Sequence, residues 1–283
     1  MADIRNIQGL LTMINIPMNY DNTYEGEDGL LYCTKCHTLR VTEKVIPVFD
    51  KRMPVPCKCM KEAEQKNKDR DEYNRKMQVI DKLRTASLMG ERYKNTTFEN
   101  TEIVGGDFEK AFMRCHKYCD IADEALANGY GIYIYGNSGT GKTHLTACIC
   151  NKLIDTYHQC LFTNFFEISK LIRSTFNRNT EAESIIKRIC DVDFLFIDDL
   201  GTEILKKNGE DNWLQEQVFD IINKRYNNRK PTIFSSNYSL NELIEQRGMM
   251  EKTVDRIMEM STAIIRINGA SYRAKNRRKE NIF

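Results

Sequence analysis

Eight consecutive residues, Gly136-Asn137-Ser138-Gly139-Thr140-Gly141-Lys142-Thr143, have the types and spacing that hold a nucleoside triphosphate. Glycines let the backbone curl until successive N–H groups point inward at phosphate oxygens. A helix starting at the end of the loop adds the positive end of its dipole. Lys142 would reach the β- and γ-phosphates of ATP, and the Thr143 hydroxyl would take one position on Mg²⁺. The alternative is a glycine-rich turn without a ligand. Context separates the two: the apolar run Gly131 to Tyr135 comes before the loop, and the residues after it read as a helix through about Leu153. A strand, a loop ending in Gly-Lys-Thr and a helix together make a P-loop.

Acids and an amide stand where such a site needs them. Phe194-Leu195-Phe196-Ile197 ends in Asp198-Asp199, which puts two carboxylates at the C-terminal edge of a parallel strand. Asp198 is the candidate to hold Mg²⁺ through water, and Asp199 the candidate to polarise the attacking water. Glu203 is a further candidate for the second role. Asn237 closes another strand-like run, where its amide would sit between the γ-phosphate and the acid pair. Arg256 and Arg273 follow in order, and a planar guanidinium suits charge stabilisation in phosphoryl transfer.

A second chemistry lies near the start. Cys33-x-x-Cys36 and Cys57-x-Cys59 stand about twenty residues apart, a separation suited to two loops clamping one tetrahedral zinc ion. His37 could replace one thiol. Cys115, His116 and Cys119 read instead as packing or surface residues of a helix.

The elements that must position these groups fall into three zones. Residues 1–60 form a small zinc-binding module, with a strand-like segment over Val41 to Phe49; so short and polar a region has little core, and a metal would supply folding free energy. Ahead of the cysteines, Ile4, Ile7, Leu11 and Ile14 share one helical face that packs on this module or docks on a partner. Residues 61–95 read as a charged helix or semi-rigid linker. Residues 96–283 alternate strands and helices, the α/β signature of a five-stranded parallel sheet flanked by helices. The strands are Ile132–Tyr135, Leu161–Asn164, Phe194–Asp198, Thr232–Ser236 and Ala263–Ile267, and the clearest helix runs from Trp213 to Asn228.

Composition agrees. The chain has 283 residues, 41% hydrophobic and 29% charged, and no apolar run spans a bilayer. Its start carries no signal-peptide pattern, so a cytoplasmic protein is expected, with its ten cysteines as thiols or metal ligands rather than disulfides. A net charge of +2 says little about partners. The basic run Arg273 to Lys279 is either a solvated terminus or a contact for phosphate backbones.

As a set, Gly136–Thr143, Asp198-Asp199-Leu200-Gly201-Thr202-Glu203, Ile221 to Tyr226, Ser235 to Leu240, Arg256 and Gly269-x-Ser271-Tyr272-Arg273 resemble the DnaC/DnaI-type AAA+ proteins. These are bacterial and phage loaders of the replicative helicase. The resemblance covers residues 96–283, and the cysteine pairs look like the zinc-bearing N-terminal region of the same group. It implies a P-loop AAA+ core, Asn237 as the sensor-1 residue and Arg273 as the sensor-2 arginine. It also implies Arg256 as an arginine finger reaching the ATP of the next subunit, so that ATP governs self-association. Arg225 is a further arginine that could lie at the subunit interface. The implied partners are a DnaB-type helicase, gripped by the N-terminal module, and single-stranded DNA on the inner face of the ATPase domain. Two departures stand out. Asp199 occupies a place where many relatives carry Glu, which bears on the hydrolysis rate, and the chain ends soon after Arg273, without room for the helical lid of larger relatives. Two other readings share the core motifs: an IstB-type transposition helper, which typically lacks a cysteine-rich front, and an adaptor that binds nucleotide with little hydrolysis.

Overall fold

A segment poor in apolar residues has little core of its own, and the first described residues bring four cysteines together and lead into a long helix. The computed structural model describes residues 21–45, 52–103, 105–174, 179–202 and 210–272. A short hairpin pairs β1 (Thr23–Glu25) antiparallel with β2 (Leu31–Cys33). The chain then knuckles: Cys33 N–H donates to the Thr38 carbonyl, and His37 N–H donates to the Cys33 carbonyl with φ at +52°. Val41 forms an isolated bridge to Pro54; residues 46–49 of the expected strand segment lie outside the described residues. So does the Ile4 to Ile14 stripe.

Helix α1 (Lys58–Ala86) follows. It is charged almost all round, and Ile80 is its buried residue. Glu64–Lys68 and Glu72–Lys76 pair along it at 2.7 Å, with the acid N-terminal to the base, the favourable order. The chain divides into two units within this helix, Met1–Met77 and Gln78–Phe283. Among the described residues no helix is long and apolar enough to cross a membrane.

The second unit holds α2 (Gly106–Asp120), α3 (Ala122–Asn128), β3 (Gly131–Gly136), α4 (Lys142–Asp155), β4 (Cys160–Asn164) and α5 (Phe165–Ser174). It continues with α6 (Asn179–Asp191), β5 (Phe194–Leu200), α7 (Glu210–Asn227), β6 (Thr232–Ser236), α8 (Leu240–Glu245), α9 (Glu251–Met260) and β7 (Ser261–Ile267). The five strands make one parallel sheet, as expected, and their order is β4-β5-β6-β3-β7. Inner strands of such a sheet are covered on both faces and read as unbroken apolar runs; Phe194–Ile197 and Ile132–Ile134 are buried throughout. Edge strand β7 instead alternates buried and exposed residues along most of its length.

Helix α4 explains why the P-loop is held so firmly. Leu145, Ala147, Cys148, Ile149, Cys150, Leu153 and Ile154 are fully buried, so most of the helix circumference is covered, with Lys152 and Asp155 left toward solvent near its end. Asn151, buried among them, is satisfied by donating to the Tyr93 and Thr96 carbonyls. Cys115 of α2 is buried, in keeping with a packing role.

Arg225 corrects an expectation. It does not face a neighbouring subunit but is fully buried. Its guanidinium donates to the carbonyls of Ile189, Cys190, Val192, Asp193 and Pro231 and to the Thr232 hydroxyl. The physical reason is the C-terminus of α6, whose end carbonyls carry partial negative charge and need donors where water cannot reach. Burial lowers the Arg225 pKa to about 10, which leaves it charged at neutral pH. We expect Arg225→Ala to destabilise the second unit by about 3–5 kcal/mol in urea unfolding, with Arg225→Lys recovering only part of it. A loss below about 1 kcal/mol would show that water replaces the guanidinium without difficulty.

Candidate active site

In open parallel sheets, ligands bind beyond the C-terminal ends of the strands, where neighbouring connections part. Here β6 lies between β3 and β5, so the P-loop, Asn237 and the Asp198-Asp199 pair leave three adjacent strands at one edge. The register aligns Ile134 with Ser235 and Ile197 with Phe234, which brings these strand ends level.

The loop needs glycine for steric reasons. At Gly136 (φ +147°) an added Cβ would lie 2.0 Å from the Ile267 carbonyl of β7. At Gly141 (φ +95°) it would lie 2.6 Å from the Phe108 ring. Thr140 Oγ1 donates to the Asn137 carbonyl across the loop, and Tyr272 N–H donates to the Gly139 carbonyl. Ser138 lies at the exposed crest between them.

Lys142 is 4% exposed, and its ammonium donates to the Gly136 carbonyl at 2.9 Å, the Asn137 carbonyl at 2.8 Å and Asn237 Oδ1 at 2.8 Å. Thr143 Oγ1 donates to Asp198 Oδ1 at 3.1 Å. The same carboxylate oxygen accepts a short bond from Ser235 Oγ, which in turn accepts the Asp199 N–H at 3.1 Å. The structure thus brings Lys142, Thr143, Asp198 and Asn237 into one network. It adds Ser235, which reading the chain names only within the resembling set and gives no role; a polar Ser-Ser pair closing an apolar strand was the available signal.

Asp199 is exposed, with a left-handed backbone at φ +53°. Arg256, on α9, bonds Glu259 at 2.6 Å, and its guanidinium lies 4.6 Å from the centre of the Tyr226 ring. Glu203 and Arg273 lie outside the described residues, as does the basic run that starts at Arg273.

In the first unit the sulfur atoms of Cys33, Cys36, Cys57 and Cys59 all lie within 4.8 Å of one another. Tetrahedral zinc with four thiolates needs sulfurs about 3.8 Å apart; Cys33 and Cys59 are 3.7 Å apart, and Cys57 and Cys59 3.2 Å. The C-x-C arm works because Cys57 precedes α1, accepting the Met60 and Lys61 N–H groups, and Cys59 sits in its first turn. Thr38 ties the arms together: its hydroxyl accepts Lys58 N–H and meets Cys36 Sγ at 3.1 Å. That contact lowers the Cys36 pKa to about 5, while hydrogen bonding with Cys57 raises Cys59 to about 12. His37 is not in the group; its Nδ1 meets the Tyr24 hydroxyl at 3.2 Å.

The family model for IstB-like ATP-binding proteins matches residues 109–280. The chain belongs to that family. It is 27% identical over 190 residues to the replicative helicase loader DnaC of Escherichia coli (strain K12), covering 66% of this chain and 73% of DnaC. To the replicative helicase loader DnaI of Bacillus subtilis (strain 168) it is 28% identical over 188 residues, covering 62% of this chain and 58% of DnaI. The crystal structure of the DnaC helicase loader matches with a TM-score of 0.52 at 24% identity, over 63% of this chain and 99% of that one. The shared fold is the five-stranded AAA+ core of an ATP-binding family.

Burial raises the Asp198 pKa above the ordinary carboxylate range; the Ser235 bond opposes this and the Asp199 charge adds to it. A raised folded-state value means the folded protein holds the proton more tightly than the unfolded chain. The ionised carboxylate therefore destabilises the ligand-free fold at neutral pH, and this penalty disappears as pH falls through the folded-state value. Asp198→Asn is expected to melt above the wild type at pH 7 without nucleotide, and the gap to close toward about pH 4. A lower melting temperature for the variant at pH 7 would contradict this.

Proposed function

We propose that this chain is an ATP-dependent loader that holds a DnaB-type replicative helicase and places it on single-stranded DNA. The observation carrying this reading is the similarity to DnaC over 73% of that loader's length. The cysteine cluster ahead of the ATPase unit supports it.

ATP would displace the resting network. Lys142 would exchange its three oxygen acceptors for the β- and γ-phosphates, aided by the loop N–H groups. The donor set of Thr143 and Asp198, a hydroxyl and a half-buried carboxylate, fits a hard cation. Mg²⁺ held there would neutralise charge developing on the phosphoryl oxygens. Asn237 would orient the attacking water and Asp199 would accept its proton. Arg256 would act on the ATP of a neighbouring copy, giving up Glu259 and Tyr226 to do so, and Arg273 would act within its own subunit. ATP then switches assembly by its different affinity for the free and assembled states. Cys33, Cys36, Cys57 and Cys59 would hold one structural zinc and so shape the module that grips the helicase.

A second reading, a transposition helper, draws on the family model itself. One experiment separates them. The full chain is mixed with the host's replicative helicase and ATP, and complexes are resolved by size-exclusion chromatography, with metal analysis of the same sample. A stoichiometric complex containing about one zinc per loader chain is expected. Stripping zinc should abolish helicase binding but not ATP binding. Arg256→Ala should keep ATP binding but lower hydrolysis roughly 100-fold or more. Tight duplex DNA binding with no helicase complex would favour the second reading and sink the first.

A further inference from the structure

Arg247 stands where the segments carrying Asp199 and Asn237 meet. Its Nε donates to the Gly201 carbonyl, and its Nη2 donates to the Thr202 carbonyl at 2.7 Å. The guanidinium also lies 5.0 Å from the centre of the Tyr238 ring, one residue after Asn237. The arginine rests on a well-built support. Ser239 and Glu242 form a reciprocal cap that starts α8, and Arg247 N–H donates back to the Glu242 carbonyl at 3.3 Å.

The turn that Arg247 grips is unusual. Asp199 is a non-glycine residue at φ +53°, and Gly201 follows at φ +83°. Left-handed backbone is uncommon away from glycine, although aspartate tolerates it better than most residues, and here the surroundings hold it in place. Three sets of bonds do so. Ser235 Oγ accepts the Asp199 N–H, Thr202 donates through both N–H and Oγ1 to the Asp199 carbonyl, and Arg247 fixes the far end. Ser236 Oγ links the same strands by donating to the Leu200 carbonyl and accepting Tyr238 N–H. At Gly201 an added Cβ would meet Leu243 Cδ2 at 2.4 Å, so this turn is also closed sterically.

We propose that Arg247 is a positioning residue for hydrolysis, holding the Gly201–Thr202 turn against Tyr238 so that Asp199 keeps its place relative to Asn237. The inference rests on the hydrolytic reading above, in which Asp199 accepts the proton from water. Its contacts are with the Gly201 and Thr202 carbonyls and the Tyr238 ring, so it would act through the turn. A two-pronged planar fork suits two carbonyls on successive residues, which a lysine ammonium matches less well.

The test is steady-state ATP hydrolysis by the full chain, with ATP affinity measured by direct titration. Arg247→Met keeps an unbranched stem beside Tyr238 and removes every donor. Its kcat is expected to fall about tenfold while the ATP Kd stays within about twofold, and Arg247→Lys should fall between. In an Asp199→Asn background, losing Arg247 should cost no further rate, because both changes act through one group. An unchanged kcat, a parallel loss of rate and affinity, or a full further tenfold loss in the Asp199→Asn background would each overturn the proposal. Hydrogen exchange at the Thr202 amide covers the remaining case. If the wild type shows no turnover, the hydrolytic reading fails on its own. Faster Thr202 exchange in Arg247→Met would then still show that Arg247 holds the turn, and unchanged exchange would overturn that too.

Discussion

Lys142 is a buried cation at the junction of two strands, and the arrangement around it depends on how its charge is satisfied. Moving an ammonium out of water costs several kcal/mol unless other groups replace its hydration shell. The Gly136 and Asn137 carbonyls and Asn237 Oδ1 supply that replacement. They do so because β6 runs beside β3, so the end of one strand meets the loop that leaves the other. The acceptors are neutral dipoles. A phosphate oxygen carries a formal charge, so the resting network holds the ammonium in readiness for a stronger partner.

Two arginines show the same chemistry used for support. Arg225 gathers the carbonyls at the end of α6 and those ahead of β5 and β6, fixing where two strands begin. Arg247 gathers two carbonyls just past β5, at the opposite end of that strand. Each guanidinium spans several backbone oxygens at once, which suits the irregular connections between parallel strands, where carbonyls have lost their ladder partners. Asp198 works under the opposite constraint. It is an acid held half-buried by Ser235 and Thr143, at a cost in stability that a bound cation would relieve.

The sheet and its order of elements were legible because each inner strand is an apolar run bounded by polar turns; Phe194-Leu195-Phe196-Ile197 followed by two aspartates is the clearest case. The P-loop was legible because glycine and lysine spacing is dictated by local backbone geometry. Two positions were not. Ser235 forms its bonds across neighbouring strands, so its partners are 36 and 37 residues away. Arg225 was expected, from the resemblance alone, as an arginine that could lie at a subunit interface, and only the packing of α6 and the two strand entries makes it a buried clamp. His37 was left open as a substitute for one thiol; the knuckle turns its ring toward Tyr24, and the group that could hold a metal consists of the four cysteines.

The network around Lys142 is that of an ATP-binding family, with its ammonium held ready for phosphate. Calorimetric titration of the full chain with Mg²⁺-ATP, for wild type and Lys142→Ala, tests it most directly. Saturable binding near one ATP per chain is expected in the wild type, and affinity at least about 100-fold weaker in the variant, with its unfolding still cooperative. Equal affinity in the two proteins would contradict it.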